Sequence, residues 1–168
     1  LLDSVTNEAG TTWTYGYDKM GRLASKTPPA GDAVAYHPTT LSFVQVPAAE
    51  VGLEPNHWRQ TITQGNAVTI HYFDARWRKR ITTTYDAASP NTTRHMQLFR
   101  YDPDNRRVFA SYPARSIASV TADPAGTSTT FDALGRPTRT LADSELGPLE
   151  TTTAYLAGFQ TQVKNARG

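Results

Sequence analysis

The most regular signal along the chain is alternation with a period of two rather than the 3.6 of a helix. Trp13, Tyr15 and Tyr17 alternate with Thr12, Thr14 and Gly16, which places the aromatic side chains on one face of a strand and the small ones on the other. The best helical window, residues 48–62, is interrupted by Gly52 and Pro55, each costly inside a helix. The pattern predicts an almost purely β protein. Composition agrees, since 25 Thr and 17 aromatic residues suit a pleated surface while 11 Gly and 11 Pro punctuate it with turns.

A repeat sharpens this picture. Four segments share an aromatic residue followed by Asp, with Arg four positions after the Asp: Tyr17-Asp18…Arg22, Phe73-Asp74…Arg78, Tyr101-Asp102…Arg106 and Phe131-Asp132…Arg136. The aromatic residues are 56, 28 and 30 positions apart, so the first interval is twice the second and predicts one degenerate unit near residues 43–46. A fifth, decayed unit is expected at 155–158, whereas Tyr85-Asp86 lacks the downstream Gly-Arg and reads as strand. Each unit reads as a hairpin: Asp opens a type I turn, and the third position after it calls for a left-handed conformation. Gly21, Asn105 and Gly135 suit that position, and Trp77 alone departs from it. Counting outward from the turn sets Tyr17 opposite Leu23, Gly16 opposite Ala24 and Tyr15 opposite Ser25. The same count sets His71 opposite Ile81 and Phe99 opposite Phe109. One face is then aromatic and the other Thr-rich. Isolated hairpins are marginal in water, so the units are expected to stack side by side into one antiparallel sheet.

The run Tyr-Gly-Tyr-Asp-x-x-Gly-Arg-Leu at 15–23, with its variants at 73, 101 and 131, resembles the YD repeats of Rhs proteins, which also occur in the C components of insecticidal Tc toxins and in teneurins. Residues 154–168 resemble Rhs sequence as well. The resemblance implies tandem hairpins in a curved antiparallel sheet, a segment of a spiral β-shell that encloses a C-terminal polymorphic toxin. It implies that residues 1–168 form a single YD-repeat region of a longer chain. Its partners would be the remainder of that shell, the enclosed toxin domain and a secretion-system component, in a secreted or cell-surface bacterial protein. Leu1-Leu2-Asp3-Ser4 carries no secretory apolar run and reads as the interior of something longer. The family's self-cleaving Asp-Pro-x-Gly-Leu motif has its nearest counterpart in Asp123-Pro124-Ala125-Gly126, which is followed by Thr127 and reads as a turn.

Candidate chemistry changes little. Cys is absent, which removes disulfides, thiolate metal sites and Cys nucleophiles. His37, His57, His71 and His95 include no short-spaced pair, and neither a nucleophile elbow nor a phosphate loop occurs. No catalytic, cofactor or metal site is expected. A net charge of +2 is small for a nucleic-acid binder, so the basic run Arg76-Trp77-Arg78-Lys79-Arg80 reads as a solvated turn. Asn91-Thr92-Thr93 is a sequon read as loop. No apolar run is long enough for a membrane span. The residues singled out are therefore structural: Tyr17, Asp18, Gly21, Arg22, Phe73, Asp74, Arg78, Tyr101, Asp102, Asn105, Arg106, Phe131, Asp132, Gly135 and Arg136. A rival function is a carbohydrate-binding or adhesive surface module, using Trp13, Tyr15 and Tyr17. The strand edges are expected to promote self-association.

Overall fold

The computed structural model describes residues 1–31 and 36–166; the last two residues of the Rhs-like stretch at 154–168 lie outside them. Among the described residues thirteen strands make one curved, unclosed sheet in which every strand pairs antiparallel with the next in sequence. They are β1 (Ser4–Thr6), β2 (Thr12–Tyr17), β3 (Leu23–Thr27), β4 (Thr39–Val46), β5 (His57–Gln64), β6 (Ala67–Phe73), β7 (Lys79–Asp86), β8 (His95–Tyr101), β9 (Arg107–Ser111), β10 (Gly126–Phe131), β11 (Pro137–Ala142), β12 (Leu149–Tyr155) and β13 (Thr161–Lys164). The helix among the described residues is one turn, α1 (Pro90–Thr93), so the sequon lies on it rather than in loop. No helix among the described residues is long and apolar enough to cross a membrane.

The predicted hairpins are the β2–β3, β6–β7, β8–β9 and β10–β11 connections. The degenerate unit is the β4–β5 hairpin, whose tip has swollen to residues 47–56. The decayed fifth unit is the β12–β13 hairpin, where Leu156 N–H still donates to the Gln160 carbonyl at 2.8 Å and Phe159 takes the left-handed position at φ 62°.

The predicted register holds for one pair beyond each turn and then fails. Tyr17 does face Leu23, but Gly16 faces Ser25 and Tyr15 faces Lys26, because Ala24 is an extra, unpaired residue. The same bulge recurs in the other three units: His71 faces Thr82 and Tyr72 faces Ile81, Phe99 faces Ala110 and Arg100 faces Phe109, and Thr130 faces Arg139. The extra residues are Arg80, Val108 and Thr138, at the same offset from Asp as Ala24. A bulge reverses the facing of everything beyond it. Phe109 therefore leaves the aromatic face expected for it and points to the opposite side, where it is buried.

That opposite side is Thr-rich only in part. In the middle of the sheet it carries the core, with Ile81 and Leu98 fully buried beside Met96 and Phe109. Two loops cover it. Residues 47–56 contribute Leu53, and residues 112–125 contribute Ile117 and Val120. The loops are tied to each other by Val120 N–H donating to the Val51 carbonyl at 2.8 Å, and to the sheet by reciprocal Met96–Ala114 bonds of 2.7 and 2.9 Å. The Pro-bearing 47–56 segment thus covers a sheet face, where burial of apolar surface stabilises it.

Candidate functional site

The repeated turn is the most elaborate polar structure in the chain. In each of the four units the Asp N–H donates to the Arg carbonyl at 2.9–3.0 Å, and the third residue after Asp returns a bond to the Asp carbonyl at 2.9–3.1 Å. That third residue has φ of 75° at Gly21, 61° at Trp77, 67° at Asn105 and 78° at Gly135, as the turn chemistry requires. The carboxylate fills the inside of the loop. Its Oδ1 accepts the Arg N–H at 2.9–3.0 Å, and Oδ2 accepts Arg Nε at 2.7 Å in Asp18, 2.8 Å in Asp74, 2.6 Å in Asp102 and 2.8 Å in Asp132.

These bonds hold the four carboxyls below the usual carboxylate range. For Asp18 and Asp132 the largest cause is the backbone N–H of Arg22 and Arg136. For Asp74 and Asp102 desolvation is the largest single effect and pulls upward, but the bonds and charges of Arg78 and Arg106, with the backbone bonds from Arg76 and Asp104, outweigh it.

The far end of each guanidinium leaves its own hairpin and reaches the next. Arg78 Nη1 donates to the Asp102 carbonyl at 3.3 Å and its guanidinium lies 5.3 Å from the Tyr101 ring. Arg106 repeats this on Asp132 and Phe131 at 3.1 and 5.2 Å. Arg22 reaches the Phe43 carbonyl at 3.5 Å and its ring at 4.8 Å, and Arg136 sits 4.1 Å over the Tyr155 ring. Each Arg is thus bonded to one repeat and stacked on its successor. Sequence reasoning took Asp and Arg as a local cross-strand pair and missed the second half of the contact. The basic run is similarly absorbed: Arg76 Nη1 donates to the Pro103 carbonyl and Arg80 Nε to the Phe99 carbonyl.

Residues 2–33 match the family model described as RHS Repeat. That stretch carries the RHS repeat. The matched stretch spans the β2–β3 hairpin, and the tips at Asp74, Asp102 and Asp132 reproduce its turn, bulge and Asp–Arg bonds. The RHS repeat is a structural repeat family. No curated protein matches the chain.

Other sequence-level candidates are placed as follows. Trp13, Tyr15 and Tyr17 share the aromatic face, with Lys26 Nζ 4.4 Å over the Trp13 ring and the Tyr17 hydroxyl donating to the Leu2 carbonyl at 2.8 Å. Among the described residues no three His, Asp or Glu side chains converge as a metal site. His71 is half-buried on the aromatic face, with Nδ1 3.1 Å from Thr82 Oγ1. Burial, aided by the Lys79 charge, lowers its pKa from 6.5 to about 4.

These shifts set the acid response. Between about pH 6.5 and 4 the unfolded chain binds a proton at residue 71 that the folded chain refuses, so stability falls as pH falls. Lower still, below the ordinary Asp value of 3.8, the turn carboxylates protonate in the unfolded state first and their contribution is lost as pH drops through their folded values. Melting temperatures measured against pH should show a difference between wild type and His71→Gln that grows from pH 6.5 to 4 and is then flat, while the collapse in stronger acid persists in both. Parallel curves throughout that window would contradict the assignment.

Proposed function

We propose that this chain forms a stretch of wall in a hollow Rhs-type shell, a non-enzymatic part that encloses a C-terminal toxin domain and helps deliver it. The observation that carries the reading is the relay of each turn Arg onto the following repeat. A guanidinium that bonds backward to its own Asp and stacks forward on the next aromatic gives the sheet a direction, so it grows one hairpin at a time. Nothing in that contact limits the number of units. The outer edges of β1 and β13 have no partner among the described strands, and both strands are exposed along their length. Rows of free amides and carbonyls at such edges recruit further strands. In the full assembly those strands come from more repeats of the same shell; in isolation, from another copy. The enclosed domain and a component of the secretion machinery complete the set of partners, and the assembly works outside the bacterial cell or at its surface.

The test is electron microscopy with limited proteolysis on the natural gene product that contains this chain. The expected particle is a closed hollow shell whose C-terminal domain resists protease until mild denaturant opens the wall. An open sheet, or a C-terminal domain cut equally fast before and after opening, would overturn the proposal.

A further inference from the structure

The arginine relay skips one unit. Phe43, Tyr101, Phe131 and Tyr155 each receive the turn guanidinium of the unit before, 4.1–5.3 Å from the ring centre. Phe73 follows the β4–β5 hairpin, whose swollen tip at residues 47–56 holds neither Asp nor Arg, and among the described residues no cation lies over the Phe73 ring. The Asp74 carbonyl accepts the Trp77 N–H of its own turn at 2.9 Å, whereas the Asp102 and Asp132 carbonyls also accept an Arg from the unit before. An open cleft of about 540 Å³ lies at this junction, between the β4–β5 tip and Asp74 and Trp77 of the next turn, within the size range of small-ligand sites. We infer that this cleft is a docking site for an arginine side chain presented by a partner protein, which brings from outside the guanidinium that the β4–β5 unit lacks.

One wall offers the kind of surface that the relay guanidinium groups already use. Trp58, opposite Phe73 on the ladder, and Trp77 both line the cleft, 5.2 Å apart at 22°. Phe43 backs both at 5.1 and 5.5 Å, within 12° of parallel. Trp77 is 55% exposed, so its ring is open to a partner, and indole is the side chain that holds a cation best. The other three YD turns put Gly or Asn at this left-handed position, and a bulky residue at φ 61° is strained there. Turn formation does not account for Trp77. A flat ring for a planar guanidinium does.

A guanidinium carries five N–H donors and no acceptor, and two unpaired polar groups of the lining are acceptors. His57 is 7% exposed and its Nδ1 sits 3.0 Å from the Glu54 carbonyl, which places the proton on that nitrogen. An uncharged ring then has its lone pair at Nε2, and Nε2 has no hydrogen-bond partner. The nearby carboxylate oxygen, Glu50 Oε2 at 3.4 Å, is itself bonded by Arg59 Nη1 at 3.0 Å. A buried acceptor of this kind calls for a donor. The second group is the exposed carboxylate of Glu54, which has no ion-pair partner among the described residues. Arg80, the cation on the lining, is already held, with Nη1 3.6 Å from Asp74 Oδ2 and Nε on the Phe99 carbonyl. The charge left over in the cleft is therefore negative, and it selects a cationic donor over a neutral or acidic one.

The turn itself provides the test. Trp77→Gly installs the residue that two of the other turns use, so it relieves strain while removing the platform, and Glu54→Gln removes the unpaired charge at an exposed position. The chain would be titrated with acetyl-Gly-Arg-Gly-amide, with the same peptide carrying Lys, citrulline or Glu in place of Arg, and with free arginine, following the tryptophan indole N–H signals by NMR. The expected result is saturable binding of the Arg peptide, weakened by added salt, at least threefold weaker with Lys and absent with citrulline or Glu. Free arginine, whose own carboxylate meets the negative cleft, should bind more weakly than the peptide. Trp77→Gly and Glu54→Gln should each weaken the Arg peptide at least fivefold, with the Trp77→Gly melting temperature equal to or above wild type. Tyr15→Ala, outside the cleft, should bind within twofold of wild type. Absence of saturable binding by the Arg peptide, equal binding of citrulline, tighter binding of free arginine, full retention by Trp77→Gly or Glu54→Gln, or an equal loss in Tyr15→Ala would each overturn the inference.

Discussion

Leu98→Ala should lower stability by about 2–5 kcal/mol, the range for emptying a fully buried leucine site. Leu98 has no exposed surface and sits in the centre of the cluster formed by Ile81, Met96, Phe109 and the loop residues Leu53, Ile117 and Val120. Neither side of the cavity can close easily. Below lies hydrogen-bonded sheet, with the Leu98 N–H itself held by Ser111 Oγ at 2.8 Å, and above lie two loops already pinned to each other at Val51 and Val120. For a chain of this length the melting temperature should drop by roughly 4–20 °C. Leu134→Ala, at the exposed tip of the β10–β11 turn, should shift it by very little, about 0.5 kcal/mol or less. Comparable shifts for the two variants would show that the sheet is held by its ladder and turns and that the covered face contributes nothing special.

The contrast between these leucines also marks where the sequence was legible. Three of the four YD tips could be placed from Asp and from Gly or Asn three residues on, and the fourth from the Asp74–Arg78 spacing alone, because turn chemistry is local and needs particular residue types. The bulge could not. Ala24, Arg80, Val108 and Thr138 share no chemistry, and what makes them bulge is the geometry of the ladder beyond the turn. Missing it placed Phe109 on the wrong face and hid the core. The covering loops were equally silent, since Val51, Leu53, Ile117 and Val120 are isolated apolar residues in polar, Pro-bearing stretches without a period. The relay was half legible. The Asp–Arg pair recurs at a spacing of four, whereas the guanidinium's second partner is 21, 24 or 26 residues away and follows only from knowing which hairpin comes next in the sheet. The cleft left one visible trace, Trp77 at a position where the repeat asks for Gly or Asn.

Gly126→Ala should destabilise the protein by about 1–3 kcal/mol or more, although only a methyl group is added. Gly126 opens β10 and faces Ser111 across the ladder, at the point where the 112–125 loop returns to the sheet. A Cβ there would lie 2.8 Å from the edge of the Phe109 ring and closer still to the Ala110 carbonyl oxygen and Ser111 Cα. Two of the three obstacles are backbone, so a rotamer change cannot relieve them. Backing β10 away would strain the bonds that anchor this corner, from Gly126 N–H to Asp143 Oδ2 at 2.8 Å and from Asp143 N–H to the Gly126 carbonyl at 2.9 Å. It would also loosen the loop that lays Ile117 and Val120 over Leu98. Thermal denaturation of Gly126→Ala beside Ser128→Ala, an exposed change on the same strand, measures the effect. Adding Phe109→Leu to Gly126→Ala should restore none of the loss, because the ring is the only neighbour it frees. Recovery toward wild type would place the crowding in the ring alone, and a Gly126→Ala protein that melts with wild type would mean that β9 and β10 are not held this close.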